Sequence, residues 1–332
     1  MAETRVPLAQ APETGYGDVA VVIPSYRVTR HIVDVLAGLP EWVWRIYVVD
    51  DRCPEGSGAL VQAECRDPRV VVLMNPVNLG VGGAVMAGYA QAAADGADII
   101  VKMDGDGQMD PALLPSFVAP IAAGEADYTK GNRFYDLTQI GQMPRVRIFG
   151  NAGLSFMTKI SSGYWDLFDP TNGYTAIHAR VVEKLPVDKI SRRYFFETDI
   201  LFRLNTLRAV VVDVPMDAKY GDEESGLKIG RILFDFLSKH VRNTFKRVFY
   251  NYFLRDMSLA TIELVGGLIL VAGGLVAGAW FWIDASTMGV PTSAGRVMLS
   301  ALPVILGLQL LLGFIAFDIA SVPRRAIHRL LR

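Results

Sequence analysis

Two aspartates one residue apart, Asp104 and Asp106, follow the apolar run Ile99-Ile100-Val101, and glycines at 105 and 107 leave little bulk around them. Paired hard oxygen ligands of this kind suit Mg2+ or Mn2+ held against a diphosphate. An acidic turn capping the helix expected from Asp110-Pro111 is the structural alternative. Two other apolar runs end in polar residues, Val19–Ile23 at Pro24-Ser25-Tyr26 and Arg45–Val49 at Asp50-Asp51. Basic groups come later. Arg133 ends the run Tyr128–Arg133, and Arg145 and Arg147 follow. Near a diphosphate they would offset the charge of a leaving group; singly, each reads as a solvated surface charge.

The elements that must position these residues alternate. Apolar runs at 19–23, 45–49, 70–73 and 98–103 read as buried strands, and 29–39, 59–65, 84–95 and 111–123 as the helices between them. Strands alternating with helical patterns predict a doubly wound, mostly parallel sheet. In such a sheet the ends of the first, second and fourth strands share one edge, where ligands bind. Further strands are expected at 128–133, through Ile177 and at 210–214, with a helix over 194–207. The loop Asn78–Ala84 places glycines before a helix but lacks the G-x-G-x-x-G spacing, so a tight turn is favoured over a nicotinamide site.

The chain has 332 residues, with Lys+Arg 33 against Asp+Glu 34, so its charge balance makes no case for nucleic-acid binding. Cys53 and Cys65 lack metal-ligand spacing and are too few for a disulfide framework. Hydrophobic residues make up 51% of the chain, and the excess sits near the C-terminus. From Leu227 to Arg255 apolar residues recur at helical spacing among lysines and arginines, the pattern of a basic amphipathic helix on an anionic membrane face. Leu264–Ile283 and Val297–Ala316 are each about long enough to span a bilayer. Basic residues crowd before the first and after the second, so both termini are expected in the cytoplasm. Glu263 and Asp318 lie at span ends and need not be buried charges. Glycines 266, 267, 273, 274 and 278 suit close packing, including a homo-oligomer through the spans. The expected organisation is a flexible leader (1–17), a cytoplasmic α/β domain (18–226), basic interfacial helices (227–258) and a two-helix transmembrane hairpin with a basic tail (259–332; spans about 264–283 and 297–320).

Val22-Ile-Pro-Ser-Tyr26, Val48-Val-Asp-Asp51, Asn78-Leu-Gly80, Met103-Asp-Gly-Asp-Gly-Gln108, Gly131-Asn-Arg133 and Asp169-Pro-Thr-Asn-Gly-Tyr174 occur in that order over about 160 residues. Together they resemble the family 2 glycosyltransferases, and more narrowly the polyprenyl-phosphate glycosyltransferases akin to dolichyl-phosphate mannose synthase. The resemblance implies a GT-A-like (Rossmann-like) sheet and transfer of one sugar from a UDP- or GDP-sugar to a polyprenyl phosphate. It implies that Pro24 and Tyr26 line the nucleotide base and that Asp51 hydrogen-bonds it. Asn78 and Gly80 would likewise belong to the donor-binding residues. Asp104 would lie near nucleotide or metal, Asp106 would ligate Mg2+ or Mn2+, and Gln108 would lie near sugar or metal. Arg133 would contact phosphate, with Arg145 and Arg147 as helpers. Asp169 falls where some members carry a proposed catalytic carboxylate. Arg27-Val28 departs from the family's usual Asn-Glu, which leaves the donor base open.

Direct displacement would invert the anomeric centre. A phosphate acceptor, with its second pKa of about 6, needs a general base less than a hydroxyl does. Asp169 is the first candidate for base or acceptor orienter, with Glu197 or Asp199 second. Two alternatives stand beside this reading: transfer to the hydroxyl of a lipid-linked sugar, and a catalytically silent membrane protein that binds nucleotide sugar. The Gln-x-x-Arg-Trp motif of processive synthases is absent.

Overall fold

The computed structural model describes residues 15–135, 145–217 and 229–331. The chain divides into two compact units, Met1–Asn243 with Pro323–Arg332, and Thr244–Val322.

The first unit is built on seven strands: β1 (Val19–Ser25), β2 (Arg45–Asp50), β3 (Val70–Met74), β4 (Ile99–Lys102), β5 (Tyr128–Asn132), β6 (Thr175–His178) and β7 (Val211–Pro215), in the order β3-β2-β1-β4-β6-β5-β7. The strands β1 to β4 run parallel, as expected. The helices between them are Ile32–Ala37 (α1), Ser57–Glu64 (α2), Val81–Ala94 (α3) and Leu114–Ala122 (α4). Strand β1 is apolar from Val19 to Pro24 because helices cover both faces of a parallel sheet. The core includes Ile23, Val48, Val101 and Phe117, the last stacked on Tyr174 at 4.1 Å between ring centroids.

Strand β6 runs antiparallel to both β4 and β5. Its reversed direction brings its first residue, Thr175, and the preceding loop 169–174 to the edge where β4 and β5 end. Periodicity alone did not reveal the helix Arg145–Ser162 (α5), which lies in a stretch rich in polar and small apolar residues. Gly150, Asn151 and Gly153 lower its helix propensity. A short helix, Ala179–Val182 (α6), precedes Phe196–Leu207 (α7).

The end of the chain belongs to this unit. The Asp127 carboxylate accepts the amides of Val210 (2.8 Å), Ile327 (2.9 Å) and His328 (2.8 Å), and the His328 Nδ1 lies 2.7 Å from it. The rings of His178 and His328 stack at 4.2 Å.

A helix over Ile229–Phe249 (α8) leaves Phe234, Leu237, Val241, Phe245 and Phe249 exposed, and a π-helical stretch, Tyr250–Arg255, follows it. In the second unit, helices Leu259–Met288 (α9) and Ala294–Ala320 (α10) are each long and apolar enough to cross a membrane. Gly267, Gly274 and Gly307 allow the two helices to approach closely. A Cβ on Gly267 would stand 3.0 Å from the Gly307 carbonyl oxygen, and one on Gly274 2.7 Å from that of Ser300, whereas Gly273 faces open space. Asp318, at a span end where its charge need not be buried, is buried nonetheless. It has Arg247 on both oxygens (2.6 and 2.9 Å) and the Tyr252 hydroxyl at 2.6 Å. A charge at this depth requires such pairing, and Arg247 is committed to it.

Candidate active site

Three strand ends do meet at one edge. At β2, both aspartates are spent on shaping loops. Asp50 accepts the amides of Cys53 (2.7 Å) and Gly58 (2.6 Å), which fixes the entry to α2. Asp51 accepts from the Leu79 and Gly80 amides (2.8 and 2.7 Å) and the Asn75 side chain (2.9 Å), while the Asn78 amide group reaches the Asp51 carbonyl at 3.1 Å. Asp51 is buried, and its carboxylate holds the Asn75–Gly80 loop. Gly80 has φ +80°, and the amides of Gly82 and Gly83 donate to the Arg192 carbonyl. The start of α3 thus anchors another loop instead of offering its amides to a phosphate. At β1, Pro24 is partly exposed and Tyr26 exposed, with the Arg27 guanidinium 5.5 Å from the Tyr26 ring centre.

At β4, Asp104 and Asp106 are both partly exposed on a tight loop. The Asp106 Oδ1 accepts the Gln108 amide at 3.0 Å, and Asp104 Oδ1 lies 2.8 Å from the Lys102 ammonium. Lys102 is fully buried and also lies 3.7 Å from Glu197 on α7. Burial alone would lower the Lys102 ammonium, but the charges of Asp104 and Glu197 outweigh it and raise it. Burial raises the Glu197 carboxyl, against the opposing charge of Lys102. Gly173 is the neighbour that makes room: a Cβ there would stand 2.3 Å from the Lys102 ammonium and 2.8 Å from Asp104.

Across β6 stands the second pole. Asp169, at φ +50° and buried, takes Arg133 in a two-point pair, Nε to Oδ2 at 2.7 Å and Nη2 to Oδ1 at 2.8 Å. The Asn172 side chain adds a bond at 3.3 Å. Burial would raise the Asp169 carboxyl, but Arg133 and the charge of Lys130 outweigh it and hold it below the usual carboxylate range. Asp199 is fully buried, its two oxygens taken by the Ser191 amide (2.8 Å) and the Asn243 side chain (2.9 Å). It packs α7 and has no oxygen directed at the edge. Arg145 and Arg147 head α5, and their side chains lie outside the described residues. A cleft of about 360 Å³ lined by Gln108, Asp110, Leu113, Tyr135 and Met216 adjoins the Asp104–Asp106 loop.

Sequence reasoning missed the two lysines. In register across the sheet, Lys102 faces Thr175, Thr175 faces Lys130, and Lys130 faces Asp213. A lysine in a four- or five-residue buried strand is itself the signal, because an interior ammonium requires partners nearby.

The mostly parallel seven-stranded sheet with helices on its faces is GT-A-like. The chain matches glycosyl transferase family 2 over residues 20–186, half its length, and belongs to that family: it is a glycosyltransferase. It is 31% identical over 202 residues to the undecaprenyl-phosphate mannosyltransferase of Micrococcus luteus, covering 60% of this chain and 82% of that one. To the dolichol-phosphate mannosyltransferase of Pyrococcus furiosus it is 25% identical over 279 residues, 82% of this chain and 74% of the other. Among solved structures, glucosyl-3-phosphoglycerate synthase from Mycobacterium tuberculosis, in complex with Mn2+, UDP-glucose and phosphoglyceric acid, superposes with a TM-score of 0.51 at 18% identity, over 70% of this chain and 79% of that one.

Proposed function

We propose that this enzyme transfers one sugar, with inversion, from a nucleotide-sugar donor to a polyprenyl phosphate at the cytoplasmic face of a membrane. The observation that carries the reading is the state of the carboxylates. Asp169 is locked to Arg133 and Asp199 is buried with both oxygens occupied, while Glu197 sits beside Lys102. A hydroxyl acceptor would require one of them as a general base. A phosphate monoester, largely ionised at neutral pH, needs none. On this reading Asp169 orients Arg133, and Arg133 meets the acceptor phosphate, with Arg145 and Arg147 nearby in sequence. The names of the Micrococcus and Pyrococcus relatives support a polyprenyl acceptor.

Pro24, Tyr26, Asn78 and Gln108 line the donor side, with Asp51 holding the Asn75–Gly80 loop that carries Asn78. The residues at the β4 end fit a divalent cation: they place two partly exposed carboxylates on a glycine-flanked loop. Asp106 would hold Mg2+ or Mn2+, with Asp104 kept in place by Lys102. When bound, the ion neutralises charge on the departing nucleoside diphosphate. The Mn2+ complex of the tuberculosis synthase supports this assignment.

α9 and α10 form a transmembrane hairpin, and the exposed phenylalanines of α8 lie on the bilayer. The tail Pro323–Leu331 belongs to the catalytic unit, which supports placing both ends of the hairpin on the cytoplasmic side.

The decisive assay incubates the purified full chain with undecaprenyl phosphate, Mn2+ and a panel of radiolabelled UDP- and GDP-sugars. A labelled, organic-soluble, acid-labile lipid from one donor is expected. Label appearing only when a lipid-linked sugar replaces undecaprenyl phosphate would establish a hydroxyl acceptor instead. No donor turnover under either condition would indicate a silent binding protein.

A further inference from the structure

Lys130 is buried in β5, one position before Gly131 and three before Arg133. Its ammonium donates to the carbonyls of Phe168, Asp169 (3.1 Å) and Gly131 (3.1 Å), and it pairs with Asp213 Oδ1 at 2.9 Å. The other Asp213 oxygen accepts the Phe168 amide at 2.8 Å and the Asn132 side chain at 3.0 Å. The Phe168–Asp169 segment is thus held by its amide and by its carbonyls from one buried ion pair. Asp169 takes a left-handed conformation, uncommon for a residue other than glycine, and such a conformation persists where its surroundings over-determine it. From that position its carboxylate fixes the Arg133 guanidinium at two points and the Arg133 amide at 3.2 Å.

We propose that Lys130 is a positioning residue for Arg133. It sets the Phe168–Asp169 backbone, and Asp169 in turn aims the guanidinium at the acceptor phosphate. The aiming rests on the acceptor reading given above; the hold on the backbone does not. A buried cation surrounded by three carbonyls has its energy tied to one arrangement of that loop. Lys130 touches no expected substrate atom, so it acts only through the loop.

The test uses the full chain in detergent and three variants, Lys130→Met, Arg133→Ala and the double variant. Amide hydrogen exchange comes first. In Lys130→Met, exchange is expected to accelerate at least tenfold over 166–174 and 131–135, with β1 and β2 unchanged. Unchanged exchange in the folded variant overturns the proposal. Kinetics come second, with undecaprenyl phosphate and the donor identified by the panel. Lys130→Met is expected to raise KM for undecaprenyl phosphate at least fivefold while the donor KM stays within twofold. The double variant should be no worse than Arg133→Ala alone. Independent, multiplying effects would overturn the coupling. If Arg133→Ala leaves the KM for undecaprenyl phosphate unchanged, the acceptor role of Arg133 fails, and the exchange result still decides whether Lys130 holds the loop. Should Lys130→Met fail to fold, Asp213→Asn removes the counter-charge of the same anchor and carries the same expectations.

Discussion

At the scale of single residues, the site consists of charges that have been given neighbours. Asp104 has Lys102, Asp169 has Arg133, and Asp51 has two backbone amides. Asp106, partly exposed like Asp104, accepts the Gln108 amide and is the residue proposed to hold the cation. Asp106→Ala is expected to lower turnover at least a hundredfold, with membrane insertion and melting temperature preserved; nucleotide release across an Mn2+ titration measures it. Normal turnover in the purified variant would remove Asp106 from the metal site. Asp104, Asp106 and Arg133 were legible as candidates because carboxylates and an arginine at strand ends are conspicuous in a linear chain. The pairing of Asp169 with Arg133 was not, since it spans 36 positions and depends on a reversed strand.

At the scale of elements, the edge proposed to bind the donor depends on how β2, α3 and the loop before α7 interlock. Gly80 is the joint. Its φ of +80° with ψ of 167° belongs to a region open essentially to glycine, and a Cβ there would stand 2.6 Å from the Arg192 carbonyl oxygen. Gly80→Ala should therefore destabilise the fold by roughly 1–3 kcal/mol. Denaturant unfolding measures the loss, which should coincide with faster exchange over 75–80, where Asp51 would lose its amide partners. The strands and helices of the first half were legible from periodicity. The short helix α6 and the helix α5 were not: α6 has only four residues, and Gly150, Asn151 and Gly153 lower the helix propensity of α5.

At the scale of the molecule, the catalytic unit is closed by the far end of its own chain. Asp127 gathers three backbone amides and His328. His178 beneath it is held neutral. Burial first, and then the charges of His328 and Arg180, lower its pKa to about 4, against the opposing pull of Asp98 and Asp127. Because the folded pKa lies below the unfolded value of about 6.5, protonation favours the unfolded chain. The stabilisation is complete above about 6.5 and is lost as pH falls toward 4. His240, lowered to about 4 by burial, adds in the same direction. Melting temperature should thus fall across that window, and His178→Phe, which keeps a ring against His328, should flatten the fall. Asp127→Ala should cost at least 2 kcal/mol by leaving buried amides without an acceptor, measured by calorimetry. A flat melting temperature from pH 7 to 4 in the unaltered protein would contradict the assignment.

The sequence by itself determined what local periodicity and residue type can encode. That comprises the alternating strands and helices, the Asp104–Asp106 pair at a strand end, the family, and two helices long and apolar enough for a membrane. The tertiary structure decided what depends on residues far apart in the chain. The reversal of β6 places Asp169 against Arg133. Two buried lysines stand in one row across the sheet, and the last residues of the chain return to Asp127. These are non-local because a charge becomes a hub, a brace or a ligand only through the partners folding brings to it, and no spacing within the chain specifies them.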